Sequence, residues 1–587
     1  MKYTLTRALA VGCMLTASAT QAVDFVIGGL ETTTMTRIVP DKIIFPFTNG
    51  LGSLGNWEPY ASVLGDSTFL ITANTFAEGS DIHQRSRVAF QPAAGGPNSE
   101  GDTFFADDGT PFTTQINASR QNGNPPRVAG DTRPGAVNFM TGAEASPHAF
   151  ISGAHSFGSD NRWNLGFTRP VNGRYGTVQT FSLNPGTLAQ TLLSKAQDSA
   201  YGRDTTGGTA LAQISRFGGH IVGLDNGNFA SVVEDKTAIL TGVGDGAVVT
   251  IFAPDGTVVT ERFLAAPGSQ WSNVAPFKGG FCVRTAGILH FYDNAGTEIG
   301  TGVDQNTAVD DFDSSVLFND RGRGDDSRIA GHINSPYVFM AQKRGPDVFL
   351  AAWDSRLVAT GSGFVAEINV NELEPALGGT DTNTFTPTAA SRVNLAVDAL
   401  NRVTVATGYT LSAPNPEYLT QVGARVMRLN TSGASPVFSY LTHSFVVFVN
   451  ASTNVNNTAR SITPTVAMTT KQICIAAKGS VNMANNPNAA SDSPNESNYY
   501  TVFSHPDPQE DPTPSAIATA PTLTIARSGG NVVLSWPSSA TGYTLRSTAN
   551  IASGTWQTNS PAPVINGAAF NVTEAIGANN KYYQLIR

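Results

Sequence analysis

The feature that most constrains this chain is a recurring pair of short apolar segments divided by a turn. Five copies are clear: "GGHIVGLDNGNFASVVED" from Gly218, "GGFCVRTAGILHFYDNAG" from Gly279, "PYVFMAQKRGPDVFLAAWDS" from Pro336, "RVNLAVDALNRVTVATGY" from Arg392 and "PTVAMTTKQICIAAKGS" from Pro464. Two weaker copies lie upstream, "ASVLGDSTFLITANTF" from Ala61 and "PHAFISGAHSFGSDNRWNLGFTR" from Pro147. The segments are too short and too evenly apolar for helices, and residue types alternate as in strands. Asn226-Gly227, Asp255-Gly256 and Asp293-Asn294-Ala295-Gly296 supply the positive φ angles of tight hairpins. A unit of two strands cannot cover its own apolar faces, so repeated copies must stack on one another. The expected fold is therefore all-β, an about seven-bladed β-propeller followed by a small C-terminal β-sandwich. A string of two or three sandwiches would also give short alternating strands, but it explains less well why the unit resembles itself.

Segment composition divides the chain further. Lys2 and Arg7 precede an apolar run from Ala8 to Ala19, and small residues follow at Ala17, Ala19 and Ala22, the layout of a cleavable export signal over residues 1–22. The expected localisation is secreted or cell-surface. No later run reaches the roughly 20 apolar residues of a membrane-spanning helix, so no transmembrane segment is expected in the mature chain. Residues 23–504 form the propeller-like body, with a Gly/Pro/Asn/Asp-rich stretch at about 91–135 that reads as an insertion between the first two units. Residues 505–520, "HPDPQEDPTPSAIATA", read as an extended Pro/acid-rich linker.

Residues 521–587 read as a separate β unit. In "NVVLSW", Val532, Leu534 and Trp536 share one side of a strand, and "GYTLRST" places Tyr543 and Leu545 together on the next. A Trp-Pro ending one strand and a Gly-Tyr opening the next resembles a fibronectin type III domain. The stretch "LSWPSSATGYTLRSTANIASGTW" with the later "KYYQLIR" is similar to C-terminal modules of secreted proteins from Verrucomicrobia-type bacteria. That resemblance implies surface retention, secretion or spacing and implies nothing about catalysis. The body, in turn, resembles a degenerate bacterial β-propeller without WD or kelch signatures.

The chemistry-bearing residues are sparse. With 14% charged residues, a net charge of −9 and no Lys/Arg cluster, nucleic acid is excluded as a partner. There is no GxSxG elbow, HExxH pair, P-loop or dinucleotide fingerprint. The single histidines, His220 and His290 among them, read as packed or hydrogen-bonded strand residues. Cys282 and Cys474 could pair in an exported protein, but they sit in apolar strands and read more simply as small buried hydrophobes, and blades three apart argue against a disulfide between them. Asp310, Asp311 and Asp313 head the most charged segment, where carboxylates could ligate Ca2+ or could simply line a solvated inter-blade loop with internal ion pairs; no other cofactor is evident. Trp163, Trp271 and Trp353 lie near strand ends and could stack on sugar rings or pack between blades. The leading functional expectation is a binding or scaffold propeller whose partner is a glycan or cell-envelope component. A polysaccharide hydrolase or lyase with its site in the propeller mouth, and a structural envelope protein, are the alternatives. An enzyme should gather two carboxylates or a metal site at one mouth of the ring.

Overall fold

The computed structural model describes residues 21–23, 35–43, 59–76, 83–102, 113–115, 127–145, 175–197, 220–235, 246–265, 273–285, 288–303, 327–344, 347–371, 393–410, 419–442, 444–451, 464–480, 496–512, 523–537, 544–550, 556–558, 562–566 and 569–586. These residues fall into two compact units, 1–514 and 515–587.

The first unit contains seven antiparallel sheets of at least four strands. In chain order their innermost strands are Tyr60–Leu64, Arg127–Gly130, His220–Gly223, Asn273–Phe277, Ser327–Gly331, Val393–Val397 and Pro464–Met468. Each innermost strand lies against those of the sheets before and after it, and the seventh lies against the first. The sheets are thus blades 1 to 7 of a closed β-propeller. Closure also uses the N-terminal segment: Met35–Ile43 pairs with Glu496–Ser504 as the fourth strand of blade 7, with Arg37 opposite Phe503. A further strand, Gln21–Val23, pairs with Met35–Arg37 and straddles the expected signal cleavage point.

The inner strands are apolar because they are sandwiched between neighbouring blades. Arg127–Gly130 and Pro464–Met468 are buried along their whole length, as is the second strand of blade 4, Gly280–Thr285. The cores lie between blades: Phe90, Phe139 and Phe181 fill the gap between blades 1 and 2, where the Phe139 and Phe181 rings stack at 5.0 Å. Gly227, Gly256 and Gly296 take φ values of +89°, +85° and +81°. The side chains of Asn226, Asp255 and Asp293 accept bonds from the backbone N–H two residues on, which closes these hairpins.

Blade number agrees with the repeat count, but its phase does not agree throughout. The copies from Gly279 and Pro336 are the second and third strands of blades 4 and 5. The true inner strands there, Asn273–Phe277 and Ser327–Gly331, carry Asn273, Pro276, Arg328 and Gly331 and so look less strand-like in sequence. The copy from Pro147 lies in 146–174, outside the described residues.

The expected insertion at 91–135 is likewise corrected where it is described: Ser99–Asp102 is the outer strand of blade 1, and Arg127–Gly130 is the inner strand of blade 2. Glycine misled the reading. A Cβ on Gly130 would stand 2.1 Å from the Val63 carbonyl oxygen, so inner strands of blades 1 and 2 approach too closely for any side chain.

The second unit is a β-sandwich. One sheet runs Thr524–Ser528, Asn531–Pro537, Ala569–Ala575 and Val564–Asn566, and the other Gln557–Thr558, Thr544–Thr548 and Tyr582–Ile586. Leu534, Trp536, Leu545 and Val572 form its core, with Phe570 tilted against Trp536 at 5.5 Å.

Candidate functional site

The seven inner strands line a central cavity of about 150 Å³. Its wall is apolar at mid-height, built from Val63, Val128, Ile221, Val274, Ile329, Leu395 and Val466. Polar side chains gather at its two mouths.

At the mouth where the inner strands begin, five consecutive blades each supply a side chain: Tyr60, Arg127, His220, Asn273 and Arg328. Arg328 reaches across from blade 5, placing Nη1 2.8 Å from His220 Nε2 and donating a 3.0 Å bond to Asn273 Oδ1. A guanidinium offers only donors, so His220 Nε2 must accept. The imidazole proton then sits on Nδ1, 3.4 Å from the Tyr60 hydroxyl oxygen, a long bond in which His220 donates. Tyr60 and His220 meet edge to face at 5.9 Å, and the Arg127 guanidinium stands 4.7 Å over the Tyr60 ring. In blade 4, Arg284 is the cross-strand neighbour of Asn273. Arg127, Arg284 and Arg328 are only 3%, 4% and 4% exposed, so their guanidiniums are held out of bulk solvent.

The opposite mouth is lined by Asp66, His332, Asn334, Thr469, Thr470 and Asp511. Burial lifts the Asp511 carboxyl above the usual carboxylate range; a bond from Thr470 works against this and the Asp66 charge adds to it. Burial also drives the His332 imidazole down to about 4.

Asp511 is held here by a strap over residues 505–511. His505 N–H donates to Lys471 O at 2.8 Å and Gln509 N–H to Thr470 O at 3.1 Å, while Lys471 pairs with Glu510 at 2.7 Å. Arg402, fully buried and paired with the equally buried Asp398 at 2.6 Å, donates to the Asp507 carbonyl; Arg428 pairs with the Asp507 carboxylate. The first half of the expected linker is therefore docked on blades 6 and 7, because its acids meet arginines whose positions sequence does not show.

Of the sequence candidates, Trp353 is placed in the core. It is fully buried with its ring edge-on to Phe364 at 5.8 Å, so it offers no face to a sugar, and the stacking role expected for it is corrected. Trp163, Trp271, Asp310, Asp311 and Asp313 lie outside the described residues. Cys282 and Cys474 are free and buried in blades 4 and 7, and burial raises both thiol pKa values, which removes them as nucleophiles. His290 Nδ1 donates a 2.9 Å hydrogen bond to the Glu298 carboxylate on the neighbouring strand. Sequence reading missed the mouth cluster. Its signal is faint: a polar residue at the first or second position of each short inner strand.

No family model and no curated protein matches the chain. Among solved structures it is similar to the Trypanosoma rangeli sialidase (9% identity, TM-score 0.34, covering 96% of this chain and 85% of that one). It is also similar to a Penicillium chrysogenum alpha-L-arabinanase complexed with arabinobiose (10%, 0.31, 68% and 98%) and to the β-propeller domain of the Trilobed protease from Pyrococcus furiosus (6%, 0.32, 80% and 99%). Likeness at this level says nothing of chemistry, and the propeller assignment rests on the blade topology.

Proposed function

We propose that this protein is a secreted or cell-surface binding propeller that takes a glycan or another envelope component at the mouth where its inner strands begin. The observation that carries the reading is the convergence of Tyr60, Arg127, His220, Asn273 and Arg328, from five separate blades, on one mouth of the central cavity. Side chains delivered by five rigid inner strands are preorganised, which lowers the cost of binding. The export-signal layout of residues 1–22 and the appended sandwich fit a protein that works outside the cytoplasm. The test is calorimetric titration of a panel of extracellular polysaccharides against the wild type and Asn273→Ala. Binding abolished by the substitution supports the reading. Binding untouched by it places the ligand elsewhere.

The hydrolase alternative is favoured by one observation, the presence of both Asp511 and Asp66 at the other mouth. Two carboxylates in unlike environments are the groundwork of acid/base hydrolysis. Reducing-sugar release from any polysaccharide, lost in Asp511→Asn, would establish it.

A further inference from the structure

We infer that the mouth where the inner strands end is a second binding site, one that takes a primary ammonium group carried by a sugar. It is separate from the mouth proposed above and does not rest on that reading. Two carboxylates line it, Asp66 just after the inner strand of blade 1 and Asp511 on the strap. The acids beside them are already satisfied: Asp398 pairs with Arg402 at 2.6 Å, Glu510 with Lys471 at 2.7 Å, and Asp507 with Arg428. Among the described residues, neither Asp66 nor Asp511 has an ion pair of its own. The cations whose charge reaches Asp511 are Lys471 and Arg402, the two held by Glu510 and Asp398. Burial together with the Asp66 charge outweighs them, so the Asp511 carboxyl stays above its usual range. A positive group entering this mouth would offset both burdens on Asp511, the loss of solvent and the repulsion from Asp66.

His332, in the same wall, narrows the ligand further. Its Nδ1 accepts a 3.2 Å bond from the Asn334 N–H, so the neutral ring carries its proton on Nε2. Among the described residues, none accepts that proton. Burial keeps the ring neutral down to about 4, so it brings no charge to compete with a cation, only a donor that lacks an acceptor. A metal ion would need the lone pair that Nε2 gives up in this tautomer. A polyamine brings ammonium groups but no oxygen. An amino sugar brings both, an ammonium for Asp66 and Asp511 and, on adjoining carbons, hydroxyl oxygens that can accept from His332. The site also depends on the strap, since Asp511 is delivered to the mouth by a segment that Arg402 and Arg428 hold at Asp507.

The test is calorimetric titration of the full-length mature protein, at about pH 6 and low salt, with three ligands: the glucosamine trisaccharide, its N-acetylated counterpart, and spermidine, which matches the first in ammonium groups and has no oxygen. The expected result is that the glucosamine trisaccharide binds about tenfold or more tightly than either of the others and weakens as salt is raised. Asp511→Asn should weaken it about tenfold, and Asp66→Asn, at an exposed carboxylate, about fivefold, both with an unchanged melting curve. If Asp511→Asn fails to fold, Asp66→Asn alone decides. His332→Ala should bring the trisaccharide down to the level of spermidine. An N-acetylated form that binds as tightly as the amine overturns the ammonium assignment, and spermidine binding as tightly as the trisaccharide overturns the sugar. Binding that survives both aspartate substitutions and is lost in Asn273→Ala overturns this second site and keeps the mouth proposed above. No binding of any of the three ligands overturns the second site, while the polysaccharide panel still decides the first.

Discussion

Trp353→Ala should destabilise the propeller and leave its binding chemistry alone. The indole is fully buried between blades 4 and 5, in one cluster with Phe291, Val338, Met340 and Val358, and meets Phe364 edge to face. Removing a buried Trp side chain costs about 3–5 kcal/mol through lost transfer free energy and the cavity left behind. A second variant sharpens the argument. The indole N–H is buried without a hydrogen-bond partner, a state that already costs about 1–3 kcal/mol. Trp353→Phe deletes that N–H together with part of the ring, so the two effects oppose each other and its net loss should be about 1 kcal/mol or less. Urea unfolding followed by circular dichroism, with glycan binding measured in parallel on the folded protein, reads both quantities. An alanine variant as stable as wild type, or one that loses binding at full stability, would refute the core placement and restore the indole as a ligand platform.

Four further outcomes follow from the geometry. Gly130→Val should destabilise strongly, since its Cβ alone would stand 2.1 Å from the Val63 carbonyl oxygen; thermal melting of the variant checks this. Asp398→Ala strands the buried Arg402 charge and should cost about 3–5 kcal/mol, whereas Asp507→Asn, at a carboxylate 38% exposed, should cost about 1 kcal/mol or less in chemical denaturation. His332 and His505 are held neutral in the fold, falling from 6.5 to about 4 and about 3, His332 by burial and His505 by burial with the Arg402 charge adding. The unfolded chain therefore takes up protons that the folded one refuses. Stability should be complete above pH 6.5 and fall as pH drops toward 4, by up to about 1.4 kcal/mol per pH unit for each histidine, and a flat profile of unfolding free energy over that range would contradict it. Cys282 and Cys474 should resist iodoacetamide in the native state and react on unfolding, as mass spectrometry would report.

The class of fold was legible because burial writes itself into composition. Strands pressed between blades must be apolar on both faces, and hairpins that need positive φ must carry glycine, so "VGLDNGNFASVV" and "FAPDGTVV" disclose strand, turn and strand locally. Blade 2 was not legible. Its inner strand, Arg127–Gly130, ends in a glycine demanded by a neighbour 67 residues upstream, and that demand exists only after the ring closes. The strap was missed for a like reason: "HPDPQED" is linker-like by composition and is fixed by Arg402 and Arg428 of another blade.

The mouth cluster marks the same boundary most sharply. Tyr60, Arg127, His220, Asn273 and Arg328 are spread over 60 to 328, and each alone is a polar residue beginning an apolar strand. The sequence by itself determined that short apolar strands would stack as blades, since alternation, length and turn residues act through local backbone physics. Only the tertiary structure decided which polar residues would share a mouth, because a contact such as that between His220 and Arg328, 108 residues apart, is set by the angle through which each blade turns from the last.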